Sequence, residues 1–133
     1  MVVDSSAVLA ILRDEPERRR FSEAFEQAEN ALISAGNFLQ CSLILESRLG
    51  PNAVREFDLL VSKSGMTVVP FDLEQAQIAR RAFRRFGKGR HRAGLDLFDC
   101  CAYALASAHE EPLLFKGNAF SQTDLELHPS SAF

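Results

Sequence analysis

Three observations predict an α/β fold built on a short parallel sheet. Short apolar or β-branched runs recur at four places along the chain, and segments of helical periodicity separate them, as in layered α/β proteins. Strands that recur with helices between them imply parallel pairing and right-handed crossovers. The length of 133 residues suits one domain over residues 1–133, large enough to bury roughly two thirds of its unfolded surface.

Each element follows from its local pattern. Residues 2–4 make a short buried strand. Residues 5–13 continue as a helix, with Ala7, Val8, Ile11 and Leu12 spaced along one face. Pro16 restarts the helix, and residues 17–29 are charged except for Phe21, Ala24, Phe25 and Ala28 on one side. Residues 31–34 read as the second strand. Asn37 is expected to cap a helix running to Arg48, with Gln40 completing a capping box, and Gly50-Pro51 ends it. A helix over residues 53–64 stops at Gly65. Residues 67–70 form a β-branched third strand, and residues 73–86 a helix with an apolar face and a basic face. Residues 87–94 read as a flexible, glycine-punctuated basic loop. Residues 96–109 form the most apolar helix, and residues 113–115 a final buried strand. His128 falls in an irregular tail.

A formal charge of −3 is close to balance, so distribution matters more than the total. Between Gln75 and Leu95 the chain carries seven Lys or Arg residues and no acid, while acids dominate elsewhere. Cys41, Cys100 and Cys101 have no metal-type spacing and, being odd in number, cannot all pair within one chain; they read as reduced core thiols. His91, His109 and His128 lack partners at ligand spacing, which argues against zinc chemistry and Cys–His catalysis. No basic, apolar leader precedes Asp4, and no apolar run reaches the roughly 20 residues of a membrane span. A cytoplasmic protein without membrane association is expected.

Three acids stand out. Asp4 ends the first strand, where ligands of parallel sheets bind, and Asp96 and Asp99 open the apolar helix. Carboxylates at such ends can converge on one hard cation, since Mg²⁺ takes oxygen ligands and needs only one or two from protein. Each also has a structural reading. Asp4 with Ser5 and Ser6 can cap the next helix, Asp96 can be an N-cap, and Asp99 can sit in a first turn favoured by the helix dipole. Asp99 is flanked by Leu97, Phe98, Cys100 and Cys101, so its turn is expected to be buried, where an unpaired carboxylate is costly and a cation would offset the cost. Lys88, Arg90 and Arg92 lie a few residues before Asp96, which sets positive charge beside the acids and fits a phosphate backbone.

The residues then converge on a family. Val2-Val3-Asp4-Ser5-Ser6-Ala7, Ile33-Ser34-Ala35, Gly87-Lys88-Gly89-Arg90-His91 before Leu95-Asp96-Leu97-Phe98-Asp99-Cys100, and Pro112-Leu113-Leu114-Phe115-Lys116-Gly117-Asn118 with Phe120-Ser121-Gln122-Thr123-Asp124 occur in order along nearly the whole chain. Together they resemble the VapC-type toxins of the PIN-domain ribonuclease family. The resemblance implies a three-layer α/β/α fold with a short central parallel sheet of four or five strands. It further implies a Mg²⁺-dependent endoribonuclease, with Mn²⁺ as a substitute ion, acting as the toxin of a type II toxin–antitoxin system. A VapB-type antitoxin and homodimerisation are implied in the same way.

Within that resemblance Asp4 and Asp99 match metal-holding acids, and Asp96 stands where an asparagine is common. Gln40 and Ala119 replace two further family acids, which thins the site and implies reduced activity. Glu46 does not replace the acid lost at Gln40, because six residues along a helix it points elsewhere. Asn118 and Asp124 are expected to contribute through water near position 119. Two other functions stay open: a PIN-fold binding module that has lost cleavage but keeps antitoxin and RNA binding, and a phosphotransfer enzyme using Asp4 as an aspartyl nucleophile.

Overall fold

The computed structural model describes residues 1–133. Four parallel strands, β1 (Val2–Val3), β2 (Leu32–Ser34), β3 (Thr67–Val69) and β4 (Leu113–Leu114), form one sheet in the order β3-β2-β1-β4. Six helices connect them: α1 (Ser5–Leu12), α2 (Arg18–Gln27), α3 (Ala35–Leu49), α4 (Pro51–Ser64), α5 (Leu73–Phe86) and α6 (Leu97–His109). The predicted fold class holds, and most element ends differ by one or two residues at fraying termini.

Side-chain alternation along the strands makes the three layers. Val3, Ile33 and Leu114 point to one face, where they pack with Ala7 and Val8 of α1, Phe21 of α2, Leu45 of α3 and Phe57 of α4. Val2 and Leu113 point to the other, against Ala82 of α5 and Leu105 of α6. Ten of the thirteen residues of α6 are apolar at least in part and seven are buried, because this helix lies between the sheet and α5.

Three expectations need correction. The helix after β2 starts two residues before Asn37: Ser34 is its N-cap and accepts a bond from the Gly36 amide at 3.3 Å. The Asn37–Gln40 capping box is therefore absent, since Asn37 already lies inside the helix. The basic segment 87–94 is not a flexible loop. Lys88 N donates to Leu95 O at 2.9 Å, Leu95 N to Phe86 O at 3.0 Å, and the His91 ring stands edge-on against Phe86. The tail is also ordered. His128 N donates to Leu113 O and Ala132 N to Phe115 O, both at 2.9 Å, so residues 126–132 run parallel to β4 and cover an edge that would otherwise be open. No helix is long and apolar enough to cross a membrane.

Candidate active site

β1 lies between β2 and β4, and the chain reverses its direction of growth across the sheet there. Such a switch point opens a crevice beyond the carboxyl ends of the strands. Asp4 is the first residue past β1, fixed by its amide donating to Leu114 O at 2.9 Å. The carboxylate is 5 % exposed, and its Oδ2 accepts from Ser6 N at 3.0 Å and from Ser6 Oγ at 2.6 Å. Ser6 Oγ accepts in turn from Lys116 N, just past β4, at 2.9 Å. Asp4 is thus the N-cap of α1 and also a buried acid: both readings of this residue hold.

Asp96 and Asp99 form a reciprocal capping box at the start of α6. Asp99 N donates to Asp96 Oδ1 at 2.8 Å, and Asp96 N donates to Asp99 Oδ2 at 3.0 Å. Each carboxylate spends one oxygen on the box and keeps the other. Asp96 is exposed and Asp99 half-buried.

The three acids feel one another. Burial pushes the Asp4 carboxyl above the ordinary range, against the pull of its bonds to Ser6 and the Ser5 amide, and the charge of Asp96 adds to the rise. Burial likewise pushes Asp99 up to about 7, the Asp96 amide pulls it back, and the charges of Asp4 and Asp96 push it further. The charge of Asp4, from the opposite end of the chain, thus opposes the ionisation of Asp99. Strongly perturbed acids at a crevice are candidates for function on physical grounds.

The donor set decides what kind of ion could sit here. No group of three or more His, Cys, Asp and Glu side chains is placed to hold a metal ion, so any ion here would rest on no more than two of these acids. The acids instead fit a hydrated Mg²⁺ or Mn²⁺, which takes one or two carboxylates and keeps several waters. A divalent cation would offset the burial that chiefly raises both pKa values and the charge repulsion that adds to it.

Gln40 is half-exposed on α3, its Oε1 3.5 Å from Asn37 Nδ2. Asn37 itself was read in the sequence only as a cap. It is fully buried, and its Nδ2 donates to Ser5 Oγ at 3.1 Å and to Phe98 O at 3.1 Å, touching the neighbours of both Asp4 and Asp99. Nothing in the sequence signalled this, because the partners lie 32 and 61 residues away. Ala119 opens the one-turn helix Phe120–Gln122 and packs against the α5–α6 side of the core. Glu46 is exposed, as expected of a residue that does not replace the missing acid.

Asn118 and Asp124 do not supply a fourth acid position. Asn118 is exposed, and both oxygens of Asp124 are engaged elsewhere, Oδ1 by Tyr103 Oη at 2.6 Å and Oδ2 by Arg85 at 3.1 Å. Phe120 is core, edge-on to Phe115, whereas Leu39 on α3 is 52 % exposed.

Lys88, Arg90 and Arg92 are exposed. The pairing of Lys88 with Leu95 brings their segment next to Asp96, and the Arg90 guanidinium lies 5.7 Å from the centre of the Phe83 ring. The three cysteines are buried free thiols. Burial pushes Cys41 and Cys100 up to about 12 and Cys101 to about 11, so none is a nucleophile.

A sheet with a buried acid at its switch point, faced by a second acid from the opposite end of the chain, describes a class of α/β nuclease-like domains. The chain belongs to the PIN domain family, whose profile matches residues 1–126. Among its relatives, the VapC ribonuclease Mb0640 of Mycobacterium bovis is 44 % identical over 125 residues, covering 94 % of this chain and 95 % of the relative. A ribonuclease VapC of Mycolicibacterium smegmatis is 45 % identical over 125 residues, covering 94 % of this chain and 97 % of its own. In three dimensions the chain superposes on VapC20 of Mycobacterium tuberculosis, described as a Sarcin-Ricin loop cleaving toxin, with a TM-score of 0.76 at 13 % identity over 96 % of this chain and 98 % of the other. FitAcB from Neisseria gonorrhoeae matches with a TM-score of 0.64 at 18 % identity, over 97 % of this chain and 96 % of that one. At these identities the two structures speak for the fold.

Proposed function

We propose that this chain is a single-domain, Mg²⁺-dependent endoribonuclease and the toxin of a type II toxin–antitoxin pair, working in the cytoplasm with reduced efficiency. The observation that supports the reading is a buried Asp4 at the end of β1 together with an Asp99 carboxyl raised first by burial and then by the charges of Asp4 and Asp96. Kinship with VapC ribonucleases supplies the substrate class.

Asp4 and Asp99 hold the cation in this reading, Mn²⁺ being able to replace Mg²⁺, and Asp96 supports them through the oxygen its capping bond leaves free. When bound, the ion polarises the phosphodiester and lowers the pKa of attacking water. Lys88, Arg90 and Arg92 bind the RNA backbone, and their ordered turn fixes them relative to Asp96. The buried Ser6 bonds keep Asp4 from rotating out of the crevice. No side chain is required as a covalent nucleophile, and the inert cysteines agree with that. A single-stranded loop is the preferred target, since A-form duplex hides its base edges in a groove side chains cannot read.

The partners of the proposal are a VapB-type antitoxin and a second copy of the chain. Leu39 and Leu43, one turn apart on α3, are 52 % and 54 % exposed, and Leu97 beside the acids is 69 % exposed. Leu97 also lines an apolar cleft of ≈ 420 Å³ with Phe71, Phe83 and Cys100. Exposed apolar area on this scale supports association with another chain.

The second reading is a binding module that has lost cleavage, which Gln40 and Ala119 favour. The double substitution Gln40→Glu with Ala119→Asp separates the two. Mg²⁺-dependent cleavage of single-stranded RNA that is weak in the wild type and stronger in the double variant supports the enzyme. Inactivity of both, with RNA retained in a binding assay, favours the module.

A further inference from the structure

The start of α3 breaks a rule of buried polarity beside the acids. Asn37 is 0 % exposed, and its Oδ1 has no hydrogen-bond partner. Leaving a buried carbonyl unpaired costs about 1–3 kcal/mol, and departures of this kind concentrate at functional sites.

What the amide does instead is join three elements. Nδ2 donates to Ser5 Oγ at the first residue of α1 and to Phe98 O in the first turn of α6, each at 3.1 Å. Ser5 Oγ donates back to the main-chain oxygen of Asn37 at 3.4 Å, which closes a two-way clasp between α1 and α3. Ser5 follows Asp4 and Phe98 precedes Asp99, so both bonds end one residue from an acid. One residue earlier α3 presses on α6: a Cβ on Gly36 would stand 2.8 Å from Cys101 Sγ. With α1, α3 and α6 held against one another at this point, the gap between the two acids has little freedom.

We infer that Asn37 is a positioning residue, which sets the separation of the Asp4 and Asp99 carboxylates by clasping Ser5 and Phe98 in one amide. The inference rests on the metal-holding reading of those acids and extends it to a residue that touches neither the ion nor the substrate. Removing partners that orient metal ligands typically weakens binding about 10–100-fold, and a loss in that range is expected for Asn37→Leu. The change deletes the orphaned carbonyl together with the two Nδ2 donations, so gain and loss in fold stability oppose each other.

Two measurements on the full chain test this. In the first, metal-free Asn37→Leu is compared with wild type by amide hydrogen exchange and thermal melting. The expected result is at least tenfold faster exchange at Ser6, Asp99 and Cys100, no change at Val3 and Leu114, and a midpoint close to that of wild type. In the second, Mn²⁺ alone is titrated into wild type, Asn37→Leu and Ser5→Ala, read by electron paramagnetic resonance of the free ion. Affinity should fall in both variants, and less in Ser5→Ala, which loses one arm of the clasp. A residue with a merely structural role would lower the midpoint and leave metal affinity intact, and that pattern overturns the inference. Unchanged exchange overturns it too. Wild type that binds Mn²⁺ with Asn37→Leu binding equally well overturns the inference alone, whereas wild type that takes up no Mn²⁺ overturns the metal reading and the inference together.

Discussion

Replacing Asp99 with asparagine should make the metal-free protein more stable at alkaline pH while abolishing its grip on a cation. Asparagine keeps the oxygen that accepts from the Asp96 amide, so the capping box survives and only the charge is lost. Burial and the charges of Asp4 and Asp96 carry the Asp99 carboxyl from an ordinary 3.8 to about 7. A folded-state pKa above the unfolded one means that the folded protein holds the proton more tightly. Stability is therefore full below pH 4, is lost as pH rises toward 7, and changes no further above that. Each tenfold change in proton affinity is worth about 1.4 kcal/mol, so the whole rise corresponds to about 4 kcal/mol. Asp99 shares its titration with a neighbouring group, so the whole rise is not its own, and the effect of its charge is on the order of 2 kcal/mol. For a chain of this length that is a midpoint shift of about 8 °C. Calorimetric melts in chelator at about pH 4.5 and pH 8 read it directly. Asp99→Asn should melt about 8 °C above wild type at the higher pH, with the gap closing at the lower. A variant that melts below wild type at pH 8, or a gap that does not depend on pH, refutes the reasoning, because Asp99 would then not be a repelled acid.

Further expectations follow from other parts of the structure. Asp124→Asn should lower the Tyr103 phenol from about 12 toward its ordinary 10, since the carboxylate at 2.6 Å contributes to holding it up, and should leave Mn²⁺ uptake unchanged; ultraviolet titration and metal titration check the two halves. Joint replacement of Lys88, Arg90 and Arg92 by alanine should reduce the slope of log affinity against log salt for single-stranded RNA by about 2. An unchanged slope would remove these residues from the RNA contact. Gly36→Ala should cost about 1–3 kcal/mol because its new methyl meets Cys101 Sγ at 2.8 Å, and Cys101→Ala in the same chain should recover most of it, as denaturant unfolding of both variants can show.

How far the sequence could be read depended on the range of the interactions. Period-two and helical patterns placed the four strands and six α-helices within a residue or two, though not the one-turn helix Phe120–Gln122, because alternation in Val2-Val3 or Leu113-Leu114 and the apolar stripe of α5 are local records of which side faces the core. Asp4, Asp96 and Asp99 were legible for a similar reason: an acid at the end of an apolar run is conspicuous. That they act on one another is a tertiary fact, visible in the raised Asp99 pKa and in no short segment. Asn37 was misread as a cap because Asn followed by Gln three residues later satisfies the local rule, yet Ser34 took the cap and freed Asn37 for partners far along the chain. The basic turn at 87–94 looked mobile because glycine signals freedom, whereas its pairing with Leu95 is a backbone interaction to which side chains give no clue. Asp124 went astray through Arg85, 39 residues distant, a neighbour that only the packed fold supplies.

The central claim is that Asp4 and Asp99 share one divalent ion, and calorimetric titration of Mn²⁺ near pH 7 in buffers of differing ionisation enthalpy tests it most directly. Asp99 is partly protonated there, so loading the ion must expel protons. The account predicts one ion bound per chain with net proton release in the wild type, and loss of both signals in Asp4→Asn and in Asp99→Asn. Equal binding by all three proteins, or binding without proton release, would contradict it.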